Sequence, residues 1–311
     1  MKQINLIVAL FVVVSWSLYS CDKIENPIPE TVGGLDWSLS PFEDSASYTW
    51  PTWTANLNSA KNVLIEDFTG HTCVGCPAAA TEATNIESAN PGRVIIASIH
   101  ASTTSTYQVP EPGSASFTTD FRTDAGNEYA TTFECDLNPL GTTNRRLGVY
   151  PSNTQNIPDP VLQQSGTWGS STATLLGEDL DVNIQVQYNY FENENGLFVH
   201  TESDFTNAKT GNYNIVVYLV RDTVIAPQKL PGGQEEEEYH HHNVLSANIN
   251  GTWGEEIVSG SVANGEKFYN DYAFEVPSND TTYDIDNLSL ITYVFNRDTY
   301  EVLQAVITHL Q

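Results

Sequence analysis

The chain has 311 residues, of which 39 are acidic and 12 basic, so its formal net charge is −27. Such an acidic surface repels nucleic acids and anionic lipid headgroups, so we expect no nucleic-acid partner. With 15 Tyr, 12 Phe and 6 Trp, a chain of this length can bury the cores of two domains.

The N-terminus has the features of an export signal. Lys2 precedes a short apolar stretch over 4–14, which is shorter than the ~18 apolar residues that a transmembrane helix needs. The stretch LYSC that ends at Cys21 resembles a bacterial lipobox, so we predict a signal peptide over 1–20 and lipidation of Cys21. The alternative is an ordinary secretory signal with a chance cysteine. Residues 21–60 lack sustained periodicity, which predicts a tether and N-terminal extension.

The next segment predicts a βαβ unit. Residues 61–68 are typical of a buried strand, and residues 72–89 of a helix that the Pro-Gly pair at 91–92 ends. The apolar run over 94–99 predicts a second strand buried on both faces, as in a parallel strand covered by helices.

The rest of the first predicted domain, 61–176, contains shorter elements. We predict a loop over 101–118, a short helix over 120–133, a turn and strand entry at 138–145, and a closing helix near 159–176. The sequence thus predicts an α/β domain over 61–176.

The pattern changes after Leu180, where apolar and polar residues alternate strictly over 181–188. Such alternation predicts a strand with one buried face. Further strands are predicted over 197–205, 213–220, 244–250, 268–276, 288–296 and 301–308. Short strands at this spacing predict an antiparallel, immunoglobulin-like β-sandwich domain over 177–311.

The link between the first strand and the helix carries a Cys-x-x-Cys motif, Cys73 to Cys76. A cysteine at a helix N-terminus favours the thiolate that attacks disulfides. We therefore predict Cys73 as the nucleophile and Cys76 as the resolving thiol, disulfide-bonded at rest in an oxidising compartment. Asp67, if buried behind the pair, is predicted to accept the proton of the resolving thiol, and His71 to tune the charge at Cys73.

Asp67 and Phe68 end the first strand and precede Cys73 at the spacing found in thioredoxin-fold proteins, so the segment 61–176 resembles a thioredoxin-like domain. Such proteins also place a cis-proline beside the cysteine pair at the start of a strand. Pro139 is the candidate here, since cis peptide bonds are essentially a proline property. Thr72 stands where Trp usually precedes the first cysteine, and a structural disulfide is the alternative to a redox site. Cys135 is predicted to be either a small buried residue or a free thiol near the pair.

The phrase EDFTGHTCVGCPAA, from Glu66 to Ala79, resembles the signature of the twenty-eight-kilodalton outer membrane protein family of Gram-negative lipoproteins. Further stretches that resemble this family lie at 120–122, 143–145, 226–228, 239–245, 251–255 and 302–305. The resemblance implies a lipid-anchored outer-membrane location and a thioredoxin-like domain followed by a β-rich domain. It implies no defined substrate.

Other polar clusters are weaker candidates. On a strand, His240 and His242 would share one face and His241 the other, and two ligands without a third do not make a metal site. We therefore predict that the acidic run 235–238 and these histidines form a solvated hairpin loop that enters a strand. The acidic stretch 280–286 lacks the calcium-loop spacing. We predict neither a metal nor a cofactor.

Two functions compete at this point. In the first, the chain is a thiol–disulfide oxidoreductase that acts on the thiols or disulfides of exported proteins. In the second, it is a non-catalytic surface or periplasmic binding module, or adhesin, in which the disulfide is structural and the sandwich binds an unidentified surface ligand. Both place the protein at the outer membrane through a lipid anchor.

Overall fold

The computed structural model describes residues 34–146, 148, 160–278 and 280–311. The predicted signal peptide and the predicted lipidation site Cys21 lie outside these residues. The helices are α1 (Cys76–Ala89), α2 (Asp124–Thr132) and α3 (Ser165–Leu175). The strands are β1 (Val63–Phe68), β2 (Val94–Ile99), β3 (Leu140–Thr143), β4 (Val182–Phe191), β5 (Gly196–Phe205), β6 (Lys209–Lys229), β7 (Glu235–Asn248), β8 (Glu255–Val262), β9 (Lys267–Glu275), β10 (Leu288–Asn296) and β11 (Val302–His309).

The predicted strand–helix–strand unit is present. β1 and β2 pair in parallel from Val63 opposite Val94 to Phe68 opposite Ile99, and α1 connects them. β3 pairs antiparallel with the other side of β1. All six side chains of β1 are buried, which is the pattern of a strand with both faces covered.

One sheet runs through both segments that we predicted as separate domains. Its order is β11-β10-β6-β7-β2-β1-β3, and β8 pairs with β6 outside this path. β7 joins β2 through the pairing of Ser98 with Val244. The sheet is therefore mixed rather than antiparallel, and it crosses the predicted boundary at 176/177. The division into two domains stays a prediction, because shared strand pairing does not test whether either segment folds alone.

A second sheet, with the order β4-β5-β9, packs against the first. The apolar contact between them includes Val182, Leu197 and Val199 from the small sheet and Val217 and Leu290 from the large one. This two-layer contact gives the C-terminal half a sandwich-like character.

Residues 34–58 cover the outer face of the small sheet. Trp37 and Tyr48 pack edge-on against Phe198, with ring centroids 5.5 and 5.7 Å away. The side-chain amide of Gln187 donates to the Thr52 carbonyl oxygen. β5 is consequently buried on both faces, although it belongs to a three-stranded sheet.

β1 separates two apolar cores. Val63 and Ile65 face the helices and pack with residues of α1 and with Trp168 of α3. Leu64 and Phe68 face the other way, into the core that also contains α2, β6 and β10. Successive strand residues point to opposite faces, so the next two side chains, Glu66 and Asp67, are divided between these two environments.

The hairpin of β6 and β7 is longer than the sequence predicted. The prediction of a solvated loop over 235–242 is wrong, because Glu235 already pairs with Lys229 and the pairing continues to Asn248 opposite Tyr218. The Glu235–Glu238 side chains are solvated, as expected, but their backbone is a strand. The sequence analysis also missed β8, which pairs with the first part of β6.

Among the described residues, no helix is both long and apolar enough to cross a bilayer.

Candidate functional site

The cysteine pair lies where β1 turns into α1. Cys73 and Cys76 form a disulfide with their Cα atoms 5.4 Å apart. Cys76 is the first residue of α1, and Pro77 follows within the first turn, where proline is favoured because its missing N–H is not needed. The helix thus begins four residues later than predicted, and Cys73 lies in the turn before it.

Pro139 lies beside this turn. The Asn138–Pro139 peptide bond is cis, and the next residue, Leu140, begins β3 opposite Phe68. A Cβ atom at Gly75 would lie 3.4 Å from Cδ of Pro139. Because β3 pairs with the end of β1, the sheet itself holds Pro139 against the turn that carries the disulfide.

Both cysteines are almost completely covered, each with 2% of its surface exposed. The end of β6 covers the turn from one side, since the side-chain amide of Gln228 donates to the Cys73 carbonyl oxygen at 3.0 Å. The Lys229 backbone N–H donates to the His71 carbonyl oxygen at 2.8 Å. The end of β6 is therefore held against the backbone of the turn that carries the disulfide.

A loop covers the turn from the other side. The Thr72 N–H donates to the carbonyl oxygen of Tyr107 at 3.0 Å. Gly70 lies so close to this loop that a Cβ atom there would be 2.6 Å from the Tyr107 carbonyl carbon. Only glycine allows this approach, so the loop and the turn are packed backbone to backbone.

Asp67 lies on the helix side of β1 and is 1% exposed. Its Oδ1 atom has no hydrogen-bond partner among the described residues. Burial without a compensating charge raises the pKa of Asp67 to about 7. A carboxyl group with this pKa can both hold and release a proton near neutral pH.

Asp67 and Cys76 line the same cavity, which has a volume of about 870 Å³. The cavity lies between α1, the face of β2 and residues 239–243 of β7. The structure thus brings together Cys76, Asp67, Cys73 and Pro139, four of the residues that the sequence analysis named for the redox site.

The His71 ring packs against aromatic side chains. It stacks on Phe117 with a centroid distance of 5.6 Å and also contacts Phe121. Burial lowers the pKa of His71, so the ring is neutral at pH 7. A neutral ring supplies no positive charge to a thiolate, and the tuning predicted for His71 finds no support in this geometry.

Two buried histidines line the cavity, of which sequence reasoning missed His100 and gave no role to His241. His100 follows β2 and His241 lies in β7, with ring centroids 5.7 Å apart, and both contact Phe121. Burial lowers the pKa of His100 well below its usual value and that of His241 to about 4. The alternation of the triplet 240–242 indicated that His241 would face away from its neighbours, but no sequence signal linked it to His100.

The sequence analysis also missed a buried ion pair on the opposite face of β1. Arg145 binds both carboxylate oxygens of Glu66 at 2.7 Å, and both side chains are fully buried. Burial alone would raise the pKa of Glu66, but the charge and hydrogen bonds of Arg145, with hydrogen bonds from Tyr218 and Thr142, lower it overall. The pair therefore remains ionised.

Cys135 is a free cysteine and is completely buried. It belongs to the same core as Phe68 and Phe133, and its sulfur lies 3.5 Å from the carbonyl oxygen of Leu137. Burial raises the pKa of the Cys135 thiol. It is thus packed as a small core residue and is poorly suited to attack a disulfide.

The acidic stretch near residue 280 has a local explanation. Asp280 accepts a hydrogen bond from the Thr282 N–H and Asp284 from the Asp286 N–H. These bonds cap the short 3-10 helices Thr281–Tyr283 and Ile285–Asn287. In the described ranges, no group of three or more His, Cys, Asp or Glu side chains is arranged to hold a metal ion.

Comparison with known proteins identifies the family. Residues 127–310, more than half of the chain, match the family model described as Outer membrane protein Omp28. This range includes the later stretches quoted for the resemblance from 143–145 onward, but it begins after the Cys-x-x-Cys phrase. A search of curated proteins finds no match.

The solved structures that are similar to the chain include two from Porphyromonas gingivalis. HBP35 of Porphyromonas gingivalis is 12% identical with a TM-score of 0.58, and the match covers 81% of this chain and 76% of that one. A domain of the outer membrane lipoprotein Omp28 from Porphyromonas gingivalis is 23% identical with a TM-score of 0.29, covering 42% of this chain and 88% of that one. The first likeness shows a shared fold. The family model confirms the predicted family, and the chain belongs to the Omp28 family of outer membrane proteins.

Proposed function

We propose that this protein is held on the outer membrane by lipid at Cys21, and that its Cys73–Cys76 disulfide exchanges with the thiols or disulfides of exported proteins. The observation that carries the proposal is that Pro139 lies beside the turn of the disulfide, and that this turn directly follows a buried parallel strand. This arrangement supports a thioredoxin-like assignment for residues 61–176. The outer-membrane family supports the location.

The chemistry follows from thiol–disulfide exchange. A partner thiolate attacks the sulfur of Cys73, the Cys73–Cys76 bond breaks, and Cys76 leaves as a thiolate. A second partner thiol then attacks the mixed disulfide, so the partner is oxidised to a disulfide and the pair is reduced to two thiols. The reverse sequence begins with the Cys73 thiolate and reduces a partner disulfide.

Asp67 would move the proton in both directions. It shares a cavity with Cys76, and its pKa of about 7 lets it donate a proton to the departing Cys76 thiolate or accept one from the thiol. Since the carboxyl is buried, this transfer would occur away from bulk solvent. Asp67 would therefore act on the resolving thiol rather than on Cys73.

The test is an exchange assay with the full mature chain. A peptide that contains one disulfide is reduced in the presence of glutathione, and turnover is compared between the wild type and Cys73→Ser. We expect turnover to require Cys73, and equal rates for the two proteins would reject the proposal. The reduction potential of the pair gives a second measure, because inert structural disulfides lie below about −300 mV.

The anchor is tested separately. Metabolic labelling with a palmitate analogue should mark the wild type and leave Cys21→Ser unlabelled and released from membranes. Labelling of both proteins would place the acyl chain elsewhere.

A second candidate function is a non-catalytic surface or periplasmic binding module with a structural disulfide. The 2% exposure of both cysteines favours it, because almost none of the surface of either cysteine is available to a partner. Alkylation after mild reduction separates the two candidates. Rapid labelling of Cys73 alone supports exchange, whereas resistance of both cysteines to reduction in the folded protein supports the structural role.

A further inference from the structure

The cavity beside Cys76 has walls of different kinds. β2 contributes the alternate residues Val94, Ile96 and Ser98, as a strand does when it presents one face. β7 contributes five successive residues, 239–243. Successive residues line a cavity when a strand presents its edge, because side chains on a face alternate. The cavity therefore runs along the edge of β7.

This edge has little pairing of its own. β7 pairs with β6 over 235–248 and with β2 at Val244. Within the part of the chain that the structure describes, no strand pairs with the second edge of 235–243. The hydroxyl of Ser98 donates to the His242 carbonyl oxygen there. An unpaired edge next to a cavity is a template for an added strand.

Buried polar atoms line the same cavity. Asp67 Oδ1, both ring nitrogens of His100 and Nε2 of His241 have no hydrogen-bond partner among the described residues. These side chains are 1%, 3% and 6% exposed. A neutral imidazole offers one donor and one acceptor, which suits the amide groups of a peptide better than it suits an anion.

The charge at the end of the edge favours a basic ligand. The exposed run Glu235–Glu238 continues β7 directly beyond the residues that line the cavity. Glu87 of α1 lines the cavity as well. A segment lying along β7 would therefore meet negative charge at one of its ends.

The α1 side leaves room for such a segment. Ala80, Thr81 and Thr84 line the cavity with small side chains. The groove between these residues and β7 leads to Cys76.

We propose that an extended polypeptide segment of an exported protein, with basic residues at one end, docks along the edge of β7 at 239–243 and so lies next to the Cys76 side of the disulfide. The segment adds a strand to β7 and satisfies the free backbone groups of this edge. The inference names the substrate class of the proposed exchange and therefore rests on the proposed function.

The first experiment uses a cysteine-free probe, so that binding does not depend on exchange. A fluorescein-labelled peptide of six alternating Val and Thr residues followed by three lysines is titrated with the full mature chain, and anisotropy is recorded. The control peptide carries N-methyl groups on all amides of the six residues, which blocks strand addition. We expect the control to bind at least ~10-fold more weakly.

Two variants of α1 locate the site. Ala80→Phe fills the cavity from the helix, whereas Ala78→Phe places the same side chain at an exposed position that does not line it. We expect Ala80→Phe to weaken peptide binding at least ~10-fold and Ala78→Phe to leave it within ~2-fold. Absence of binding to the wild type, equal binding of the N-methylated peptide, or equal affinities of the two variants would overturn the proposal.

A second copy of the chain is the other candidate occupant. Sedimentation of the wild type and of Ala80→Phe tests it, and a dimer that only the wild type forms would overturn the peptide proposal. The exchange assay separates the remaining outcomes. Exchange without peptide binding overturns the docking site alone, whereas peptide binding without exchange supports the docking site and overturns the redox function.

Discussion

Glu66 and Asp67 are neighbours in β1, yet the pKa of Glu66 is lowered and the pKa of Asp67 is raised. Glu66 faces the core of α2, β6 and β10, where Arg145, Tyr218 and Thr142 satisfy it. Asp67 faces the helix side and the cavity, where Oδ1 has no hydrogen-bond partner among the described residues. Burial is complete for both, so the partners and not the burial decide which carboxyl group is ionised.

Glu66 therefore contributes to the stability of the fold, whereas Asp67 is available for proton transfer. The Glu66–Arg145 pair joins the strand before the disulfide to strands more than 70 residues away, since Tyr218 and Tyr293 also bind Arg145 Nη2. Both carboxylate oxygens of Glu66 already accept hydrogen bonds, so this carboxylate is not free to take up a proton. Asp67 keeps that capacity because nothing compensates its charge.

The largest expected effect comes from breaking the ion pair. Arg145→Met leaves the Glu66 charge buried without its partner, and we expect a loss of ~3–5 kcal/mol in the free energy of unfolding. Urea unfolding followed by circular dichroism measures it. The double variant Glu66→Gln/Arg145→Met should lose less than Arg145→Met, because the buried charge is gone.

The adjacent arginine provides the control for this prediction. Arg146 is partly exposed and pairs with Glu178 and Glu301 near the surface. Arg146→Met should cost less than ~1 kcal/mol. Equal losses for Arg145→Met and Arg146→Met would contradict the role given to the buried pair.

Asp67→Asn tests whether the raised pKa of Asp67 makes the stability of the protein depend on pH. The pKa of Asp67 is raised from 3.8 to about 7, so the folded state binds this proton more tightly than the unfolded state does. The contribution of this proton to the free energy of unfolding is fully present below about pH 4. It is lost as the pH rises through about 7, and the total loss is at most ~4 kcal/mol. Above pH 7, Asp67→Asn should therefore be more stable than the wild type, and the difference should shrink towards pH 4.

Unfolding in urea at several pH values between 4 and 8 gives this difference. Asp179→Asn, at an exposed position, is the control and should change little at any pH. A constant difference between Asp67→Asn and the wild type over the whole range would show that the Asp67 proton is not linked to folding.

The smallest effect concerns access to the disulfide. Gln228→Ala removes the amide that donates to the carbonyl oxygens of Cys73 and Lys229, each at 3.0 Å. A loss of ~1.4 kcal/mol of hydrogen bonding should increase the population with an open hairpin, and the rate of disulfide reduction by a small dithiol, by ~10-fold. Gln234→Ala, at an exposed position of the same hairpin, should reduce at the wild-type rate. Unchanged kinetics in Gln228→Ala would mean that the hairpin does not limit access.

The elements near the disulfide were predictable because their signals are local. The apolar run over 94–99 matches β2, and the helix after Cys76 ends at Ala89, next to the predicted Pro-Gly stop. β8 was not predicted, because its sequence, EEIVSGSV, has a weak apolar pattern and is fixed by pairing with β6. The acidic beginning of β7 also lacks an apolar pattern, so its sequence predicts a loop, and the strand forms there through pairing with β6.

The sequence by itself determined the strand, the cysteine turn, the helix and the cis-proline candidate, since these depend on neighbouring residues and on the fixed preferences of Cys, Gly and Pro. Only the tertiary structure decided the partner of each carboxyl group and the cover over the disulfide. Arg145 lies 79 residues from Glu66, and Gln228 lies 155 residues from the Cys73 carbonyl group that it binds. Contacts at such separations arise when the strands assemble into one sheet, and no local pattern encodes them.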